Sequence, residues 1–153
     1  MNQELIDNCK EETWKHIYQV EELVEEMAHQ LGRRAHSHDN SKLSSPELEV
    51  FVEYTPKLKN STYGSDEYKQ FLKEMGKALD HHYANNRHHP EHFPNGIKDM
   101  NLIDLIEMIC DWKAATLRHA DGDIHKSLEI NQKRFGYSDE LKQIFKNTVE
   151  LFD

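Results

Sequence analysis

The sequence predicts an all-α fold, a single helical bundle of about six helices over residues 1–153. Three observations lead there. Apolar residues recur at steps of three and four almost throughout. Residues suited to capping helices, and Gly or Pro suited to ending them, fall between those periodic stretches. No segment alternates apolar and polar residues as a half-buried strand would, and no internal repeat is present.

The first helix is expected from Leu5 to Leu31, with Ile17, Val20, Val24, Met27 and Leu31 along one face and Glu11, Glu12, Glu21, Glu22, Glu25 and Glu26 as a solvated stripe. Gly32 is expected to punctuate it. The polar stretch RRAHSHDNSKLSSPE ends in a helix start, either Ser44 with Glu47 three residues on or Ser45 ahead of Pro46. A short helix through Leu48, Phe51 and Val52 follows, then a loop from Thr55 to Gly64. Ser65-Asp66-Glu67 opens the next helix, with Phe71, Leu72, Met75, Ala78 and Leu79 inward, and it runs into His81 and His82. Pro90, Pro94 and Gly96 exclude continuous helix from NNRHHPEHFPNGIKD, which reads as a structured loop. Asp99 or Asn101 caps LIDLIEMICDWKAATLRHA, the strongest helix. There Leu102, Leu105, Ile106, Ile109 and Trp112 are expected to be buried, with Asp104, Glu107, Asp111 and Arg118 on another side. Asp121 or Asp123 starts a helix through Ile124, Leu128 and Ile130. After the Gly136 break, Ser138 caps a last one through Leu141, Ile144, Phe145 and Leu151.

Composition narrows the function. Against 28 Asp and Glu stand 19 Lys and Arg, a formal charge of -9. Such a surface disfavours long nucleic acid, whose binding depends on Lys and Arg meeting phosphates. No apolar run approaches a membrane span, and the acidic start MNQELIDNCKEE is unlike a secretion signal, so a cytoplasmic protein is expected. Cys9 and Cys110 read as free thiols. A C2 homodimer is compatible with the sequence, though no feature demands one.

The 11 histidines carry the chemistry. Five lie between positions 81 and 92, and another pair flanks an aspartate in His36-Ser37-His38-Asp39. Neutral imidazole and carboxylate suit Mn, Fe, Co, Ni and Zn alike, so a divalent transition metal of unassigned identity is expected, one ion with a second possible. Adjacent His38 and Asp39 can converge on one ion only where the backbone turns, and Asn40 and Ser41 favour such a turn. Asp111 lies beside Ile109 and Trp112, where a carboxylate is costly unless paired or metal-bound. His16 shares the expected core-facing side with Val20, Leu23 and Met27, whereas His29 lies away from it. His81 and His82 are candidates for proton transfer or a second metal. His88, His89 and His92 divide between ligands and substrate contacts. Lys42, Arg87 and Arg118 are candidates for phosphate, with Arg offering the better fork.

In order, His16, His38-Asp39, His81-His82 and Asp111 give H...HD...HH...D, and this resembles the HD superfamily of metal-dependent phosphohydrolases. His38-Asp39-Asn40-Ser41-Lys42 is similar to the HD-x-small-Lys motif of many members. The segment from Asp111 to Arg118 is similar to one in the cyclic-dinucleotide phosphodiesterase branch, and His92-Phe93-Pro94-Asn95-Gly96-Ile97 faintly to its Gly-Tyr-Pro loop. Over most of residues 10 to 150 the chain also resembles small, largely phage and prophage HD-like proteins of unassigned function. The resemblance rests on HDNSKLSSPELEVFVEYTPKLK, LDHHYANNRHHPEHFPNGIKDMNLIDLIEMICDWKAATLRHADGDI and INQKRFG. It implies an all-α HD-like domain with His16, His38, Asp39 and Asp111 as metal ligands. It implies His81, His82 and Lys42 in catalysis, and Arg87, Arg118, His88 and His89 toward a small phosphorylated substrate, most plausibly a nucleotide. Two other functions fit the scaffold, a di-iron oxygenase and a non-catalytic binder of a signalling nucleotide or host partner. Dinuclear relatives place another histidine after the HD pair, and residues 40 to 80 contain none.

Overall fold

The computed structural model describes residues 2–62, 64–118 and 122–152. Among them it holds six α-helices, a few short 3-10 turns and no strand. None of the helices among the described residues is long and apolar enough to cross a membrane. The chain divides into two compact units, Met1–His36 and Ser37–Asp153.

The first unit is essentially one helix, α1 (Gln3–Ser37), and no residue of it is buried. Ile17, Val20, Val24 and Met27, expected on a core-facing side, are exposed. Gly32 does not end this helix, contrary to expectation. A glycine inside a helix costs only ~1 kcal/mol relative to alanine. The helix ends instead where Asp39 enters the left-handed region at φ 57.

The second unit begins with a 3-10 turn (Asn40–Leu43), followed by α2 (Leu48–Asn60). This helix covers most of the expected loop and carries Pro56 in its interior. An interior proline costs ~3 kcal/mol through its missing N–H and ring clash. Packing against α3 (Asp66–Asn85) opposes that cost, with the Tyr54 ring edge-on to Phe71 and its hydroxyl 3.2 Å from Glu74. Ser65 caps α3 as expected, accepting from the Tyr68 N–H, and the helix kinks at Gly76 (φ 38) before reaching His81 and His82. The proline-rich stretch forms two 3-10 turns, Pro90–His92 and Gly96–Asp99.

Asn101, rather than Asp99, caps α4 (Leu102–Thr116), in a reciprocal box with Asp104. The faces of α4 depart from expectation. Leu102 is 73% exposed and Ile106 is also exposed, while Asp104 and Glu107 are buried with Met108 and Ile109. The acidic side of the helix is turned into the protein. Asp123 caps α5 (Ile124–Phe135), accepting from the His125 and Lys126 N–H groups; the alternative start, Asp121, lies outside the described residues. Gly136, left-handed at φ 66, closes that helix, and Ser138 caps α6 (Asp139–Val149).

The apolar core lies among α4, α5 and α6. Met108, Ile109, Ile124, Leu128, Tyr137, Phe145 and Val149 form it, with Trp112 packed alongside and stacked on Phe135. The Tyr137 hydroxyl donates to the Leu128 carbonyl at 2.6 Å, so this ring is buried without an orphaned O–H. One side of α4 therefore anchors in hydrocarbon, and the other presents carboxylates to the loop after α3 and to the 38–39 turn. Met108→Ala should lower unfolding free energy by ~2–5 kcal/mol. Leu102→Ala, on the side the periodicity marks as core, should cost less than ~0.5 kcal/mol. Urea denaturation of both variants checks the orientation of α4.

Candidate metal centre

The centre is assembled from three separate segments of the second unit. The turn after α1 supplies His38 and Asp39, the end of α3 and the loop beyond it supply His82, His88 and His89, and α4 supplies Glu107 and Asp111 one turn apart. The positive φ of Asp39 reverses the chain, and His38 and Asp39 come to face the same carboxylate, Asp111, and the same histidine, His88. Asp tolerates this backbone better than most residues because its short side chain bonds locally.

Asp39 is the hub. Its Oδ1 lies 3.3 Å from His82 Nε2 and 3.5 Å from His88 Nε2. Its Oδ2 lies 3.6 Å from His38 Nε2, which is also 3.6 Å from Asp111 Oδ1. His82 Nε2 and His89 Nε2 stand 2.9 Å apart. Donors around one ion at ~2.0–2.1 Å sit ~3.0–3.4 Å from each other, so these separations are close to the edges of a coordination shell. Two sets of donors share the hub: Asp39 with His82, His88 and His89, and Asp39 with His38 and Asp111.

Burial makes the arrangement hard to explain without a cation. His82 and His88 are each 1% exposed. Asp39 Oδ1 and His88 Nε2 have no hydrogen-bond partner among the described residues, and His88 Nδ1 has only a poorly aligned 3.1 Å approach from Glu107 Oε1. A buried polar atom left so costs free energy that a ligand would recover.

Two glutamates stand behind the imidazoles. Glu107 Oε1 lies 3.0 Å from His38 Nδ1 and 3.1 Å from His88 Nδ1. Glu47, fully buried, lies 2.7 Å from His81 Nδ1 and 2.8 Å from His82 Nδ1. In each case Nδ1 faces a carboxylate and Nε2 of His38, His82 and His88 is left toward Asp39. Such outer carboxylates orient metal-binding histidines. Glu47 is the residue that sequence reasoning missed. Its place in Ser-x-x-Glu suggests a capping box, yet no side-chain cap bond forms at the start of α2. Its true partners lie 34 and 35 residues away.

Charge is distributed to match. Burial, with the cationic Lys42 as a lesser cause, lowers the pKa of His82. Burial and the neighbouring His88 and His82 lower that of His89, so both rings are neutral and able to ligate. Burial alone would raise the carboxyl of Asp39, but Lys42, His38 and His82 outweigh it and hold the group below its ordinary value. The carboxylates of Asp111 and Glu107 raise His38 to about 10, against the cost of its burial.

The remaining sequence candidates divide. His16 lies on α1, in the first unit, and belongs to none of these donor sets. Lys42 donates to Asp39 and lies 4.9 Å over the Phe51 ring. His81 is half-exposed beside Glu47. Arg87 is engaged by Asp104 through Nε and Nη2, at 3.1 and 3.0 Å, and rests over Phe93, which ties the histidine loop to the N-terminus of α4. Arg118 is exposed in the turn beyond α4. His88 and His89, expected to touch substrate, stand among the donors instead, and His92 donates from Nδ1 to the Tyr83 carbonyl as a loop fastening.

Residues 5–151 match the model of a family described as Family of unknown function (DUF5662). No curated protein and no solved structure matches.

The raised pKa of His38 has a thermodynamic signature in metal-free protein. An unfolded imidazole titrates near ~6.5. The folded value is higher, so the stability contributed by His38 is fully present below ~6.5 and is lost as pH rises through about 10. With chelator present, the stability gap between wild type and His38→Gln should be widest at pH 6 and should close steadily toward pH 10. Denaturation across that range measures it, and a constant gap would contradict the assigned ion pairs.

Proposed function

We propose that this chain, which belongs to the DUF5662 family, is a metal-dependent phosphohydrolase acting on a small phosphorylated molecule, most plausibly a nucleotide. The observation that carries the reading is the convergence on Asp39 of His38, Asp111, His82, His88 and His89, with Asp39 Oδ1 and His88 Nε2 buried and lacking hydrogen-bond partners among the described residues. The order of the His-Asp motif along the chain, and its resemblance to HD phosphohydrolases, supports the choice of reaction. The donor set fits a divalent transition ion: imidazoles and carboxylates, with no thiolate among them.

A bound ion supplies Lewis-acid polarisation of a phosphoryl oxygen and a water acidic enough to react near neutral pH. The protein does the rest. His82 and His89, held neutral, offer donors without first losing a proton, and buried His88 stands beside them. Asp39 and Asp111 add negative charge that favours the cation, and Lys42 moderates it beside Asp39. His81 is half-exposed with Nδ1 against Glu47, and as the doubly protonated imidazolium it would give its Nε2 proton to a leaving oxygen and keep the one held by Glu47. Lys42 is the basic residue nearest the donors and is suited to balancing phosphate charge, with Arg118 exposed further along the chain. Arg87 is committed to Asp104 and serves the loop. The acidic surface favours a small substrate over a polyanion.

Asp39 contributes to both donor sets, so Asp39→Ala should abolish metal binding and phosphatase turnover while leaving helicity intact. Elemental analysis of protein purified without a His tag, circular dichroism and a screen of nucleotide substrates with the metal found would test this. Full turnover by the variant would sink the reading.

One observation favours a second chemistry on the same residues. Asp39 turns one oxygen to His82 and His88 and the other to His38, as a bridging carboxylate between two ions would. A di-iron oxygenase uses such a pair. Anaerobic reconstitution should then give two irons per chain, and a stoichiometry of one would exclude it.

A further inference from the structure

We infer that Glu47 is a positioning residue of this centre: its buried carboxylate sets the proton of His82 on Nδ1, so that the bare Nε2 faces Asp39 and His89. The inference rests on the metal-binding reading and extends it to a residue outside the donor sets.

Counting hydrogens leads to it. Asn86 Nδ2 carries two hydrogens and donates to the His82 carbonyl at 2.8 Å and to Ser41 Oγ at 2.8 Å. Its approach of 3.1 Å to His82 Nδ1 therefore has no hydrogen left to share. Ser41 has one hydrogen, and its hydroxyl donates to Glu47 Oε2 at 3.0 Å. Its 3.3 Å approach to His82 Nδ1 likewise lacks one. Glu47 Oε2, 2.8 Å from the same nitrogen, can only accept while ionised. Nδ1 is thus surrounded by groups that offer it no proton and by one that requires it. A neutral imidazole protonated there has its lone pair on Nε2, the atom 3.3 Å from Asp39 and 2.9 Å from His89.

Nothing else explains the position of Glu47. It is fully buried, it makes no cap bond at the start of α2, and its carboxylate partners are Ser41 and the two histidines. The chain Asn86 to Ser41 to Glu47 to His82 braces the ring from the side opposite Asp39. Ser41 also links this support to the His-Asp turn, two residues after Asp39.

Nitrogen-15 NMR of the metal-free wild type should show His82 protonated at Nδ1 with Nε2 bare. In a chelator competition with Zn2+ alone, Glu47→Gln should bind ~10–100-fold more weakly than wild type, because the amide keeps one accepting oxygen and turns a donor toward the other partner. Ser41→Ala, which removes only the brace, should lose less than ~10-fold. The inference is overturned by wild-type His82 carrying its proton on Nε2, or by a folded Glu47→Gln that binds Zn2+ as wild type does. If Glu47→Gln does not fold, the wild-type spectrum decides alone. A wild type that binds no Zn2+ removes the metal reading instead, and the tautomer measured without metal still tests the assignment of Glu47.

Discussion

Burying a carboxylate is expensive, and the second unit of this protein buries several in one place. Asp104, Glu47 and Glu107 are all but inaccessible, and Asp39 is largely covered. An isolated ion in such surroundings costs several kcal/mol even after relaxation, so every one of these groups must be answered by a partner. Arg87 answers Asp104. Imidazoles answer Glu47 and Glu107, and through their far nitrogens they pass the demand on to Asp39. At Asp39 the protein's own cations are Lys42 and His38, beside the neutral rings of His82 and His89. These groups are brought together by the placement of α3, α4 and the turn before α2, and on the proposed reading a cation completes the balance at their centre.

The fold separates two tasks along α4. One side of that helix locks into Met108, Ile109, Leu128 and Phe145, giving the rigidity on which donor positions depend. The other side holds Asp104, Glu107 and Asp111 at successive turns, each with a different duty: fastening the histidine loop, orienting rings, and donating. The kinked α3 delivers His81 and His82 from the opposite direction. Three segments distant in sequence therefore meet at a place where no helix end or loop is left to choose its own conformation.

Much of this was legible in the sequence, and the parts that were not have physical causes. Capping chemistry located the starts of α3, α4, α5 and α6 because Ser65, Asn101, Asp123 and Ser138 act through bonds only two or three residues long. The His38-Asp39 pair and Asp111 stood out by type and spacing, and the structure does bring them together. Gly32 and Pro56 misled because their helix-breaking tendencies are worth only a few kcal/mol and surrounding structure overrode them. On α4, Ile109 and Trp112 face the core as expected, but Leu102 and Ile106 are exposed while Asp104 and Glu107 are buried, because hydrophobic periodicity assumes that charge seeks water, an assumption that fails where charges answer one another. Glu47 was invisible as a site residue for a related reason. Its meaning lies in histidines 34 and 35 positions away, and locally it looks like half of a capping box. The absence of histidine between residues 40 and 80 cast doubt on a second group of donors, yet the loop after α3 folds back to provide one.

Position 39 illustrates how closely backbone and charge requirements can overlap. The left-handed turn there is open to glycine and asparagine as well as aspartate, whereas the hub of the donor sets needs a short anionic side chain. Glutamate would keep the charge and strain the turn; asparagine would keep the turn and forfeit the charge. Aspartate is the residue that meets both demands. On the proposed reading, then, a relative with asparagine or glycine at this point would keep the turn and lose the charge that a cation there would need.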